Sequence, residues 1–266
     1  MLDAAVAGDI FAAPGAAKLY EALERFNRPA GVLLVTLNHN GDRMGASKAL
    51  RKAQKAGLNV REIIVHEDIA QGPDTPSDQR RGLGGCIPLI KVMGAAAEKG
   101  CNLDEVLALG EAFNSNVATL SVALRTAIHP QNGAGIGSLA EDEMEIGMRQ
   151  HGEGGGGILK LCTADETARI MVERLMAAVK IKPGDQAFLI VNGSGATTTM
   201  ELLIVYRAAA KILEETGVSL VPGLANELLT VQEMAGFQMI LCRLPQGADA
   251  LLRAKANTPY WTSLWE

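Results

Sequence analysis

Short runs of continuous apolar residues alternate along the chain with longer stretches whose apolar positions recur every three or four residues. Residues 31–37 (GVLLVTL) and 60–66 (VREIIVH) read as buried strands, because they are continuous, apolar and β-branched between turn residues. Residues 119–125, 187–192, 218–222 and 237–242 read the same way. Helices are predicted between them. One covers 86–99, with Pro88 near its start and Gly100 just past its end. A second covers 102–115, opened by Asn102 with Glu105 three positions on. A third covers 163–180, where Thr163 and Glu166 form a capping box ahead of the stripe Ala168, Met171, Leu175, Val179. A fourth covers 198–216. This alternation predicts an α/β fold of sheets with parallel pairs, flanked by helices. Two α/β domains are expected, 1–115 and 116–266, divided at Asn114-Ser115-Asn116, with a second break in the Gly-rich stretch 131–139. The tail from Pro259 to Trp265 is expected to pack as an arm, since two tryptophans are costly to leave in water.

The chain has 266 residues, 48% of them apolar, which is enough for a substantial core. Aromatics make up 4% and the net charge is −5, with Lys and Arg dispersed. Those values argue against a nucleic-acid binder, which needs stacking platforms and a basic face. No apolar run approaches the ~20 residues that span a bilayer, and the start does not read as a secretory signal. A soluble, cytoplasmic protein is expected. Cys86, Cys101, Cys162 and Cys242 stand far apart, as do His39, His66, His129 and His151. That usage fits a reducing compartment and leaves no metal site by spacing. The first fourteen residues, MLDAAVAGDIFAAP, are apolar from the outset with no cap or turn signal. They are expected to need cover from another chain.

Two segments carry candidate chemistry. In IGMRQHGEGGGG (146–157), His151 is a nucleophile or base that works near neutral pH. The glycines around it let backbone N–H groups approach a small ligand. In NHNGDRMG (38–45), which directly follows the strand at 31–37, Asp42 sits in a turn at a strand's carboxyl end, where open α/β sheets bind ligands. It can act as a general acid or base there, although an Asn-Gly-Asp turn also serves backbone geometry alone. NGSGATTT (192–199) has the shape of a phosphate loop but lacks the Gly-Lys-Ser/Thr of a P-loop. Gly133-x-Gly135-x-Gly137 does not join a strand to a helix. Both are read as structural.

Taken together, five segments resemble the K subunit of dihydroxyacetone kinase, its sugar-binding half, over essentially the whole chain. MLDAAVAGDIFAAP is similar to the family segment that follows its first sugar loop. Asn38-His39-Asn40-Gly41-Asp42 matches its NxxGD turn, RRGLGG (80–85) its GRRG segment, and KVMGAAAEKG (91–100) its GAAAExG helix end. EMEIGMRQHGEGG resembles its motif ending in HGEPG. The resemblance implies two α/β domains of the K-subunit type. It also implies that His151 attacks the keto carbonyl of dihydroxyacetone, or of a related short ketose, and holds it as a covalent hemiaminal. Asp42 would assist proton transfer at the hydroxyl to be phosphorylated. Asn38, Gly41, Gly152 and Glu153 would line the substrate. No cofactor is expected on this chain. ATP or tightly held ADP, with Mg, would sit on a separate nucleotide-binding L subunit, and the K-type chain would form a homodimer or be completed by a complementing chain.

The chain also departs from the family pattern. The family's first sugar loop, a GSGHEP stretch with a second catalytic histidine, falls upstream of Met1. Leu37 stands where the family usually has Lys, Gly45-Ala46 where it often has Asn-Phe, and Gly154 where HGEPG has proline. Two readings follow: a ketose kinase component whose sugar capture outlasts its turnover when it is alone, and a non-catalytic ketose sensor or activator on the same fold.

Overall fold

The structure, a computed structural model, describes residues 1–148 and 155–263. The first fourteen residues form neither helix nor strand. Met1 packs on the third helix beside Gly94, and Val6 packs against the first helix. The elements then follow in order: α1 (Ala16–Phe26), β1 (Val32–Leu37), α2 (Asn40–Lys55), β2 (Val60–Val65), α3 (Cys86–Glu98), α4 (Leu103–Asn114), β3 (Val117–Arg125), β4 (Glu143–Ile146), β5 (Ile158–Lys160), α5 (Ala164–Val179), β6 (Gln186–Gly193), α6 (Thr199–Glu215), β7 (Ser219–Asn226), β8 (Ala235–Arg243), α7 (Ala248–Arg253), β9 (Ala256–Asn257) and β10 (Thr262–Ser263).

Two of the expected parallel pairs form: β1 with β2, and β6 with β7. The rest of the large sheet is antiparallel, in the order β5-β4-β3-β8-β6-β7. The sheet is mixed because β8 runs back between β3 and β6, which needs no crossover helix. Its two faces alternate cleanly. Leu120 and Val122 of β3, Leu189 and Val191 of β6, and Met239 and Leu241 of β8 turn toward α5 and α6. Phe188, Ile190, Ile240 and Cys242 turn the other way, onto Leu89, Val92 and Phe113 of α3 and α4 and onto Ile63 and Val65 of β2. This second cluster draws on both sides of residue 115. It also takes in Trp261, which is buried with its ring 6.0 Å from that of Phe188.

The caps read from sequence are present. Asn102 with Glu105 and Thr163 with Glu166 each form a reciprocal capping box, and Thr198 with Glu201 forms a third. Each satisfies two of the orphan N–H groups at a helix start.

Candidate functional site

β1, expected to be a buried strand, is half-buried apart from Thr36 and pairs with β2, with Leu37 in register with Val65. Both strands therefore end on one edge. The chain leaves β1 at Asn38, whose N–H donates to the Val65 carbonyl at 3.0 Å. His39 then caps α2, so the Asn-Gly-Asp sequence is the first turn of a helix rather than a free turn. Asp42 stands at the third helical position, in the first turn of α2. Gly41 and Gly45 let residues 13 and 14 lie against the helix. A Cβ at Gly41 would stand 3.1 Å from the Ala13 Cβ, and one at Gly45 would stand 2.9 Å from the Pro14 carbonyl.

The Arg80–Gly85 segment crosses the ends of both strands and fixes this turn. Gly82 is wedged between them, where a Cβ would meet the Val65 carbonyl at 2.5 Å and the Asn38 nitrogen at 3.0 Å. The Gly82 carbonyl lies 2.9 Å from His39 Nε2, and Arg81 lies 3.4 Å from His39 Nδ1. The Gly82 carbonyl can only accept, so His39 donates to it through Nε2. Asn38 donates through Nδ2 to the carbonyls of Arg80 and, at 3.2 Å, of Asp78. Its amide is engaged with backbone.

Under this turn lies a cavity of about 250 Å³. Phe11, Ala13, Pro14, Leu37 and Leu229 make its apolar wall. Asp9, His39, Asp42 and Thr230 supply its polar groups. A larger cavity of about 400 Å³ lies on the other side of Asn38, between Arg43 and the ends of β2 and α4. The structure thus sets Asn38 and Asp42 on different cavities, with Gly41 beside Ala13 at the smaller one.

His151, Gly152 and Glu153 lie outside the described residues. The chain that leads to them and away from them is described, and it is tightly held. The Gly147 N–H donates to the Ser121 carbonyl at 2.7 Å, and the Ser121 hydroxyl donates to the Met148 carbonyl. Gly147 and Gly155 both press on Ala70, at 2.9 and 3.1 Å from its Cβ for an added Cβ. Gly147, at φ +85°, takes a conformation that glycine adopts without cost. Met148 is buried in a small apolar cluster with Ala123, Ala127, Val231 and Met234, and Phe11 packs on that cluster. Phe11 is also a wall of the Asp42 cavity. The segment entering the glycine loop and the Asp42 turn therefore share one apolar support.

One buried charge went unnoticed in the sequence. Glu67 is wholly buried, directly after β2. It accepts from the N–H groups of Leu83 at 2.9 Å and Gly85 at 2.7 Å, and from the Thr119 hydroxyl at 3.2 Å. Burial pushes its carboxyl up to about 7, against the pull of those donors. The visible signal was Glu67-Asp68 at the end of an apolar strand, a place where a charged pair needs partners. Among the described residues, no cluster of three or more His, Cys, Asp or Glu can hold a metal ion. Among the same residues, no helix is long and apolar enough to cross a membrane.

Residues 1–260 match the family model described as the Dak1 domain. The dihydroxyacetone-binding subunit of PTS-dependent dihydroxyacetone kinase 1 from Listeria innocua is 36% identical over 244 residues, covering 92% of this chain and 74% of that protein. Of solved structures, a dihydroxyacetone kinase operon co-activator superposes with a TM-score of 0.85 at 29% identity, over 93% of this chain and 75% of the other. The dihydroxyacetone kinase of C. freundii superposes with a TM-score of 0.83 at 30% identity, over 97% of this chain and 46% of the other.

Proposed function

The chain belongs to the Dak1 domain family, and from that premise we propose that it is the sugar-binding component of a cytoplasmic kinase for dihydroxyacetone or a related short ketose. Capture takes place at His151. An unprotonated ring nitrogen forms a bond to the keto carbon, and the carbonyl π pair moves to oxygen, which takes up a proton. The proton on the other ring nitrogen is released, leaving a neutral hemiaminal. Only a carbonyl compound can form this bond, so polyols such as glycerol are excluded. Asp42 then accepts the proton of the hydroxyl that attacks the phosphoryl group. The nucleotide sits with Mg on a partner L-type subunit, either ATP as the donor or tightly held ADP that a phosphotransferase-system relay rephosphorylates, and the K-type chain works as a homodimer or with a complementing chain. Gly152 and Glu153 complete the sugar contacts from the loop side and Gly41 from the turn side, whereas Asn38, expected to line the sugar, opens onto the other cavity and holds the Arg80 and Asp78 carbonyls instead.

The observation that supports this reading most is the shared support of its two halves. Phe11 walls the cavity that contains Asp42 and packs on the cluster that holds Met148, three residues before His151. A second reading, a non-catalytic ketose sensor, is favoured by Leu37, which gives the cavity an apolar wall immediately beside the Asn38–Asp42 turn. Reconstitution with a purified L-type subunit and a phosphoryl donor separates the two. The kinase reading expects ketose phosphate from the wild type and a loss of at least tenfold in Asp42→Asn. Capture of the ketose with no phosphate transfer under any donor makes the chain a sensor.

A further inference from the structure

Glu67 touches both sides of the candidate site. On one side its Oε1 accepts from Gly85 N at 2.7 Å and Leu83 N at 2.9 Å. These bonds fix the loop whose Gly82 carbonyl holds His39 and whose Arg80 carbonyl holds Asn38. Both residues lie in the turn that carries Asp42. On the other side the same Oε1 accepts from the Thr119 hydroxyl at 3.2 Å, and the Glu67 carbonyl accepts from the Thr119 N–H at 2.9 Å. Two residues along β3, Ser121 holds Gly147 and Met148, the segment that runs into the His151 loop.

We infer that Glu67 is a positioning residue that keeps the Asp42 turn aligned with the segment entering the His151 loop. The inference rests on the ketose-kinase reading of the site. The covalent bond of capture forms on the loop side, at His151, whereas phosphoryl transfer needs both sides in register. Loss of alignment therefore lowers turnover and spares capture. Misplacement of a reacting group by about 1 Å is enough for a loss on the order of a hundredfold.

The charge on Glu67 matters because three donors converge on it. As a carboxylate it accepts from all three. Once protonated it has one fewer acceptor site and an O–H that must find its own partner, so the Leu83 and Gly85 bonds loosen. The charged and titratable groups around it are Asp68 on the same strand end, Arg80 on the crossing loop, Cys86 at the start of α3 and Cys242 on β8. Both thiols are pushed up by burial and stay neutral, while Asp68 and Arg80 oppose one another in charge. Burial brings the Glu67 carboxyl to about 7, so its charge changes near neutrality. Turnover is expected to rise with pH through about 7.

The test has two arms. In the first, wild type and Glu67→Gln are compared with an L-type subunit and ATP from pH 6 to 8.5, and dihydroxyacetone affinity is measured separately. The expected variant shows affinity within twofold of wild type, kcat at least tenfold lower at pH 8, and no rise through neutrality. A parallel loss of capture and turnover overturns the inference, as does an unchanged pH profile. The second arm needs neither variant nor activity. The amide 15N–1H resonances of Leu83, Gly85, Thr119, Ser121 and Gly147 are followed with pH in the wild type. One shared midpoint near 7 on both sides supports the inference, and movement of Leu83 and Gly85 alone overturns it. If no ketose binds, the kinase reading fails, while this second arm still judges the coupling.

Discussion

Substituting Gly82 by Ala tests whether the crossing loop sets the geometry of the Asp42 turn. The added Cβ would stand 2.5 Å from the Val65 carbonyl, 3.0 Å from the Asn38 nitrogen and 3.1 Å from the Leu37 Cα. All three neighbours are backbone, so no side chain can swing aside. Gly82 does not have a positive φ, so the cost is steric and owes nothing to backbone strain. Overpacking of this kind costs about 1–3 kcal/mol, and paired strand ends that resist displacement place it toward the upper end. At roughly 2–4 °C per kcal/mol for a chain of this size, the melting temperature should fall by roughly 4–12 °C. The clash also pushes Leu37 and Asn38, and hence Asp42, away from its place in the cavity. Phosphoryl transfer should therefore fall at least tenfold, with dihydroxyacetone capture less affected. Gly100→Ala is the control. Gly100 has φ +92° and no atom within 4 Å of an added Cβ, so it loses about 1 kcal/mol to strain alone, far from the site. Differential scanning calorimetry and the reconstituted transfer assay read both effects. The reasoning is refuted if Gly82→Ala melts and turns over like wild type, or if Gly100→Ala loses as much transfer.

Three further expectations follow from packing and charge. Because burial raises the folded-state pKa of Glu67 from 4.5 to about 7, the folded protein holds a proton that the unfolded chain has released. Stability should therefore fall as pH climbs between those values, by about 3 kcal/mol at most, and level off above. Glu67→Gln should flatten that slope in urea melts taken from pH 4.5 to 8, and an unchanged slope would refute the assignment. Phe113→Ala, at a fully buried position between α4 and the large sheet, should cost about 3–5 kcal/mol, read from the urea midpoint. Gly15→Ser should stabilise α1 by a few tenths of a kcal/mol, because its N-cap has extended φ and ψ and lacks a side-chain hydrogen bond. A lower melting temperature in that variant would contradict the cap assignment.

Much of the architecture was legible in the sequence. The six apolar runs became β1, β2, β3, β6, β7 and β8, and the four periodic stretches became α3 to α6 within one or two residues of the expected ends. Most of those elements declare themselves because they bury a whole stripe or both faces; β1 and β7, expected to be buried, are mostly half-buried and show only as short apolar runs. What escaped lacked a clear start signal or was very short. Helix α1 opens on a glycine cap with no side-chain bond, and α2 carries Gly41, Gly45 and a run of Lys and Arg. Its start reads as a turn until β1 and the Arg80–Gly85 loop hold it. The short β4 and β5 exist by pairing with β3 rather than by their own sequence. Within the site, the Asn38–Asp42 motif was visible, but the engagement of its Asn38 with the Asp78 and Arg80 carbonyls was not, since those partners lie some forty residues away. Glu67 was hidden for the same reason. Its meaning depends on Leu83, Gly85 and Thr119 arriving at one point. His151 was the candidate most plainly marked by its glycines, and it lies outside the described residues.

The most direct measurement of the central claim is therefore a carbon spectrum. Dihydroxyacetone labelled with 13C at its carbonyl is added to the wild type and to His151→Ala. The account predicts that part of the ketone resonance is replaced in the wild type by a protein-bound signal of a tetrahedral carbon bearing nitrogen and oxygen, and that His151→Ala, folded with an unchanged melting temperature, shows none. A bound ketose whose carbon stays trigonal in the wild type, or an identical tetrahedral adduct in the variant, would contradict capture at His151.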